Sequence, residues 1–399
     1  MLRLILLSLL LTAVVTGQKG RRERECSVVK AGYQFSFDLY NELASNNKGA
    51  NIFFSPYSIS TATSMLMLGT DGKTEIELRS FLRHGICNHE SMRIHLANKY
   101  ISKLMSEPVA DMSLTVANRL FPDTKFNLYA NYTQKSAEFY GSAVESIDFK
   151  GQHELSRKTI NDWIAERTND KIQNMLPAGS ITPMTEIVLA NAIYFKGTWK
   201  TKFNPRSTTD GLFHVDENTA TFIPMMRTKA KFSYATNALF SIIEMPYIGD
   251  AASMVIVLPR DRFGLSSIEK MLDGNFLRAL TQYGEKTEVS VTLPKFTMTF
   301  SANLEDTYQS MGVESIFSKA ADFGRMTDSE DFFISNIRHK AFIEVNEEGT
   351  EAAAATTLTG ARTLRRSPNF ICDHPFIFYI VHKKTNVILF LGRYVTPTK

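Results

Sequence analysis

Glu347-Glu348-Gly349-Thr350-Glu351-Ala352-Ala353-Ala354-Ala355-Thr356-Thr357-Leu358-Thr359-Gly360 leads, near the C-terminus, into Ala361-Arg362-Thr363-Leu364-Arg365-Arg366-Ser367 and then Asp373-His374-Pro375-Phe376. Read as a strand, this stretch places Thr350, Ala352, Ala354, Thr356, Leu358 and Gly360 on one face. None of these is charged, so the face could enter a core without stranding an ion, and Glu351 falls on the other side. Composition alone favours a blander reading, an Ala-rich helix or flexible linker, because alanine is the best helix former. Thr356, Thr357 and Thr359 are β-branched and Gly360 is a breaker, so such a helix would be short.

Outward from that stretch, the N-terminus speaks to compartment. Met1-Leu2-Arg3 is a short basic start, Leu4 to Val15 is almost wholly apolar, and Val15-Thr16-Gly17 offers small residues for cleavage. This is the layout of a secretory signal peptide over residues 1–17, too short for a membrane anchor, and it predicts a secreted, extracellular product with no membrane span. Asn131-Tyr132-Thr133 is a glycosylation sequon that suits that compartment. No linker, charge block or repeat divides residues 18–399, which read as one domain, and 44 % hydrophobic residues suffice for a large core. A formal charge of +4 is too small to argue for nucleic acid. Cys26, Cys87 and Cys372 allow at most one bridge with one thiol left over, so stability must come from packing.

Apolar periodicity predicts helices over Val28–Leu43, Tyr57–Gly69, Thr74–His84, Glu90–Met105, Leu128–Tyr140 and Ser156–Met175. Strands are predicted over Asn51–Pro56, Leu114–Leu120, Ala143–Phe149, Thr185–Phe195, Ser253–Leu258, Glu288–Leu293 and Phe332–Val345. A final hairpin joins Phe376–His382 to Val387–Arg393 through Lys383-Lys384-Thr385-Asn386. Helices dominate the first half and strands the second, which favours an α+β class with antiparallel sheets over a doubly wound fold.

Enzyme signatures are missing: the chain has no Gly-x-Ser-x-Gly elbow, no His-Glu-x-x-His helix and no Gly-x-Gly-x-x-Gly turn. Gly72-Lys73-Thr74 resembles the end of a phosphate loop, but Met67 stands where its first glycine belongs. His84, Cys87, His89 and His95 are the one metal-like cluster, yet helical spacing would aim them apart, and no metal or other cofactor is expected. Arg93, Lys99 and Lys103 would suit a sulfated polysaccharide, though an ordinary solvated face is the commoner explanation. Arg362, Arg365 and Arg366 are different, because arginine is what an acidic protease pocket takes. Arg362 and Arg365 also have the Arg-x-x-Arg spacing of a proprotein-convertase site, and a precursor processed there remains an alternative.

Taken in order, several segments resemble the serpin family over essentially the whole chain after residue 17. They are Asn51-Ile52-Phe53-Phe54-Ser55-Pro56-Tyr57-Ser58-Ile59-Ser60, Leu189-Ala190-Asn191-Ala192-Ile193-Tyr194-Phe195-Lys196-Gly197-Thr198-Trp199, His339-Lys340-Ala341, Glu347 to Ala353, and Asp373-His374-Pro375-Phe376. The loop and C-terminus look most like secreted arthropod serpins, those of ticks among them. The resemblance implies three β-sheets, about nine helices and an exposed reactive-centre loop over about residues 347–373. It also implies a monomeric suicide inhibitor, in which a serine protease attacks the loop and the cut loop inserts into the main sheet, dragging the acyl-enzyme along. Roughly 14 inserted residues at ~3.3 Å each would carry the enzyme on the order of 45 Å.

By the same resemblance Glu347, Gly349, Thr350, Glu351 and Ala352 to Ala355 form the hinge, and Glu347 pairs with Lys295. Ser55, Ser58, Asn191 and His339 form a hydrogen-bonded cluster beneath the opening strands, and Trp199 stands where insertion starts. The family's usual loop length puts Thr363 before the scissile bond, whereas a loop one residue shorter cuts Arg362-Thr363. Arg362-Thr363 is the reading preferred here, with Arg365, Arg366 and Ser367 as alternatives, and trypsin-, thrombin-, plasmin- or kallikrein-type enzymes as partners. A non-inhibitory carrier or chaperone is the other alternative; the uncharged inward face and Gly349-Thr350 argue against it.

Overall fold

The N-terminal third winds into helices wherever an apolar face recurs at helical spacing. The structure, a computed structural model, describes residues 28–87, 91–109, 111–142, 144–273, 284–349 and 367–397. In α1 (28–46) the expected face of Ala31, Phe35, Leu39 and Leu43 is buried. Helix α2 (Pro56–Met67) starts at Ser55, whose hydroxyl accepts the Ser58 N–H, with Pro56 in the first turn. Its sides are buried almost all round, which makes it the central helix. Packed around it are α3 (Gly72–Phe81), α4 (Ser91–Met105) and α5 (Ala130–Tyr140), the last ending at Gly141 in the left-handed region. Then come α6 (Phe149–Arg167) and two short helices, α7 (Leu265–Glu269) and α8 (Glu305–Ser310), making eight α-helices among the described residues.

The principal sheet has four strands in the order β2 (Met112–Pro122), β3 (Ile187–Gly197), β10 (Asn336–Val345) and β9 (Phe296–Asn303). Its outer pairs are antiparallel, but β3 and β10 run parallel, in register from Asn336↔Val188 to Phe342↔Tyr194. The remaining strands form one nine-stranded hydrogen-bonded network. One leaf holds β4 (Thr209–His214), β5 (Ala220–Thr236), β8 (Glu285–Pro294) and β11 (Asn369–Ile371). The other holds β6 (Phe240–Pro246), β7 (Ala252–Pro259), β12 (Phe376–His382), β13 (Val387–Tyr394) and β1 (Ile52–Phe54). Strand β5 belongs to both leaves, which meet only where Ser233–Thr236 pair with Ser241–Glu244. With the principal sheet these leaves give the three-sheet α+β layout implied by the resemblance.

Three expected elements are corrected. Residues 144–148 do not form a strand; they make one bridge, Ile147 to Asp123, before Asp148 turns the chain into α6 by accepting the Gly151 N–H. The helix expected over Ser156–Met175 is therefore α6, which starts at Phe149 and ends at Arg167 because Asn169 and Asp170 adopt left-handed φ values of 50° and 59°. The strand expected from Phe332 begins at Asn336, since the Ile334 N–H donates to the Ile316 carbonyl at 2.7 Å and draws that segment away.

Candidate functional site

The lower part of the β3–β10 seam is built on polar side chains in a buried setting. His339 of β10 faces Asn191 of β3 in the register, and Asn191 in turn faces Asn118 of β2. The Ser55 N–H donates to His339 Nε2 at 3.2 Å, so that nitrogen carries no proton and Nδ1–H donates to Asn191 Oδ1. Asn191 Nδ2 donates to Ser58 Oγ at 2.6 Å and also to Asn118 Oδ1, while Ser58 Oγ donates to the same Asn118 oxygen at 3.1 Å. Ser55 Oγ closes the array by donating to the Leu389 carbonyl at 2.6 Å. The array ties the N-terminus of α2 across both strands of the seam. Burial pushes the His339 imidazole down to about 3, so it is neutral at ordinary pH. A second proton would aim an N–H at the Ser55 N–H and break the array.

Above Phe342 and Tyr194 the two strands no longer pair with each other. Instead the chain turns sharply at Asn346–Gly349, with the Asn346 N–H to Gly349 carbonyl bond at 3.0 Å and the reverse bond at 3.2 Å. Gly349 is bridged antiparallel both to Asn346, beyond β10, and to Thr198, beyond β3. It therefore occupies the space between the two strands. Its φ is +122°, and an added Cβ would lie 2.3 Å from the Gly197 carbonyl oxygen and 2.6 Å from the Trp199 nitrogen, so only glycine fits.

The neighbouring residues fix this turn. The Trp199 N–H donates to the Glu348 carbonyl and the Phe203 N–H to the Glu347 carbonyl, each at 2.9 Å. Trp199 is buried, stacks on Tyr247 at 4.5 Å between ring centroids, and donates its indole N–H to the Asn346 carbonyl at 3.0 Å. Glu347 Oε2 meets Lys295 Nζ at 2.9 Å and its Oε1 accepts the Thr208 hydroxyl at 2.8 Å. Burial by itself would raise the Glu347 carboxyl, but the hydrogen bonds from Lys295 and Thr208 outweigh it and hold the group below its ordinary value. Glu348 pairs with Lys202 at 2.6 Å.

The family model described as Serpin (serine protease inhibitor) matches residues 30–397. The chain is a serpin. Serpins inhibit serine proteases through covalent complexes and are not themselves enzymes. This serpin is 39 % identical over 379 residues to human leukocyte elastase inhibitor, covering 92 % of this chain and 98 % of that one. Over 389 residues it is 37 % identical to human serpin B3, covering 93 % and 100 %. Among solved structures it resembles uncleaved ovalbumin, with a TM-score of 0.85 at 29 % identity over 93 % of this chain and 100 % of that one. The insect serpin Serpin48 of Tenebrio molitor gives 0.83 at 31 % identity, over 93 % and 98 %.

Of the residues singled out in the sequence, the structure brings Ser55, Ser58, Asn191 and His339 into one array, and Glu347, Gly349, Lys295 and Trp199 into another. Thr350, Glu351, Ala352 to Ala355, Arg362, Thr363, Arg365 and Arg366 lie outside the described residues, as do residues 1–17, Cys26 and His89. Ser367 is described, and its hydroxyl donates to Glu288 Oε2 at 2.8 Å. Asn131 is exposed at the start of α5. Cys372 is buried as a free thiol. Among the described residues no group of three or more His, Cys, Asp or Glu gathers as a metal site; His95 is buried on α4, bonded to the Tyr140 hydroxyl. Arg93, Lys99 and Lys103 are exposed on α4, with Lys99 paired to Glu138 at 2.8 Å. Sequence reasoning missed Asn118, Thr208 and Lys202. None of the three had a signal, since Asn118 shares its strand with Ser113, Thr115 and Arg119.

Proposed function

We propose that this serpin is a secreted, extracellular inhibitor of trypsin-like serine proteases, of thrombin, plasmin, kallikrein or trypsin type. It traps the acyl-enzyme by inserting its cut loop as a strand between β3 and β10. Gly349 carries this reading: the residue that opens the loop is already bridged antiparallel on both sides, the direction an inserted strand must take. The uncharged face of Thr350, Ala352, Ala354 and Thr356 supports passage of the following residues into the sheet. Arg362, Arg365 and Arg366 support the choice of enzyme, and the signal-like residues 1–17 support secretion.

Incubation with trypsin is expected to give a covalent band resistant to SDS and a released C-terminal peptide beginning at Thr363. A protein that is merely digested refutes the reading. A covalent band formed instead with an elastase, releasing a peptide that begins at Leu364, supports a second reading, an elastase-type target, favoured by the relatives named leukocyte elastase inhibitor and by the small Thr363 at that bond.

A further inference from the structure

Beside α2 the fold leaves a cleft open. It lies between Tyr33 of α1, Tyr57 of α2, Ile101 of α4 and Ile388 of β13, and holds about 400 Å³ with its mouth included. That is toward the low end for small-molecule sites, with room for about two aromatic rings. Gly32 of α1 lines the cleft, and a Cβ there would meet no atom within 4 Å. Its backbone is ordinary helix, so neither a turn nor a close contact calls for glycine. Glycine in mid-helix weakens the helix relative to alanine, and its effect here is to keep clear the space that a side chain would fill.

The lining sets the chemistry of an occupant. None of its residues is Asp, Glu, Lys, Arg or His, and burial pushes the Tyr57 phenol above its ordinary value, so the walls are uncharged at neutral pH. An ion would be stranded there. Tyr33, Phe35 and Tyr57 supply aromatic surface. The hydroxyl protons of the lining serines are committed to their own helices: Ser36 Oγ donates to the Gly32 carbonyl at 2.6 Å and Ser60 Oγ to the Tyr57 carbonyl at 2.9 Å. What these serines offer an occupant is oxygen lone pairs. A flat, uncharged molecule with an O–H to donate matches both features.

Position ties the cleft to the seam. Pro56 and Ser60 line it, a helical turn apart on one face of α2. Ser58 stands two residues from each, so it faces the other way, toward Asn191 and Asn118. Ile388 also lines the cleft, next to Leu389, whose carbonyl accepts Ser55 Oγ. An occupant between α4 and α2 therefore backs the first turn of α2 against the array that joins β3 to β10. It fits the closed arrangement better than one in which α2 has shifted, and so favours the closed one.

We infer that the cleft between α1, α2, α4 and β13 is a regulatory site for a small uncharged aromatic alcohol, whose binding slows insertion of the cut loop. The slowing rests on the inhibitory reading above; the binding does not. Slower insertion gives the acyl-enzyme more time to hydrolyse, so more inhibitor is consumed for each protease trapped.

The probe is naphthol, followed by its own fluorescence on the uncut full-length protein. Saturable binding of a single equivalent is expected, about tenfold weaker or more for naphthoate, whose charge the lining cannot pair, and several-fold weaker for naphthalene, which has no O–H. In Gly32→Leu the side chain fills the cleft, and naphthol affinity should fall about tenfold or more with the thermal midpoint kept or raised. Gly32→Ala strengthens the helix and fills less, so it should weaken binding by a smaller factor and keeps the test decisive if the leucine variant folds poorly. With naphthol at saturation, the stoichiometry of trypsin inhibition should rise in the wild type and not in Gly32→Leu, with trypsin alone as the control. Equal naphthol affinity in the wild type and both variants overturns the site, and naphthoate binding as tightly as naphthol overturns its chemistry. An unchanged stoichiometry in the saturated wild type overturns the regulatory role. If the wild type captures no trypsin even without naphthol, the inhibitory reading fails and the regulatory role with it, while the binding measurements still judge the site.

Discussion

At the scale of single residues, the His339 array makes the closed seam depend on a proton that must stay away. The folded imidazole lies at about 3 against an ordinary 6.5, so between those values the unfolded chain binds the extra proton and the native one does not. Stability from this group is thus complete above about pH 6.5 and declines as pH falls toward 3, at up to about 1.4 kcal/mol per pH unit, or about 2 kcal/mol by pH 5. In denaturant unfolding the wild type should lose about that much more than His339→Gln on going from pH 7.5 to pH 5. Equal losses would show that carboxylates elsewhere account for the acid sensitivity. None of this was legible from spacing. Ser55, Ser58, Asn191 and His339 are nearly 300 residues apart at the extremes, and only the family resemblance joined them. Asn118, equally central, escaped notice because a polar residue in a half-exposed strand such as β2 has no reason to stand out.

At the scale of elements, long and strongly periodic segments were read correctly and their ends were not. Helices α2 and α4 and the hairpin of β12 and β13 agree with the sequence within a few residues. Strand β9 alternates buried and exposed over Phe296–Ser301 and could have been read; β5 could not, because Pro224 and its lysines hide a strand shared between two leaves. The start of α6 was missed because, besides its local cap Asp148, its first N–H groups are held by an acceptor far away in sequence. Buried Asp123, just past β2, accepts N–H bonds from Lys125 at 3.0 Å, Phe149 at 2.9 Å and Lys150 at 3.3 Å. An acceptor carrying charge at a helix N-terminus also gains from the helix dipole. Asp123→Ala leaves those donors without it and should cost about 2–3 kcal/mol in urea unfolding. A loss under about 0.5 kcal/mol would mean that water replaces the carboxylate fully.

At the scale of the whole molecule, the prediction concerns what cutting the loop does to stability. Cleavage by a protease that does not remain attached should raise the thermal midpoint by tens of degrees, because the freed arm can join the principal sheet. An unchanged midpoint would mean that the arm stays outside. The reason it should rise lies in the seam itself. Closed, β3 and β10 are joined by seven parallel register pairs, Asn336↔Val188 through Phe342↔Tyr194. A strand entering from Gly349 unzips that single parallel seam and lays down two antiparallel ones, the better-bonded kind, so each step downward exchanges one row of hydrogen bonds for two. The costly first contact of such a zipper is its nucleus, and the double bridge at Gly349 already provides it. On the proposed reading, what restrains the uncut molecule is that the chain is held on both sides of residues 350–366, at Gly349 by its double bridge and at Ser367 by Glu288, so that a single severed peptide bond lets the zipper run.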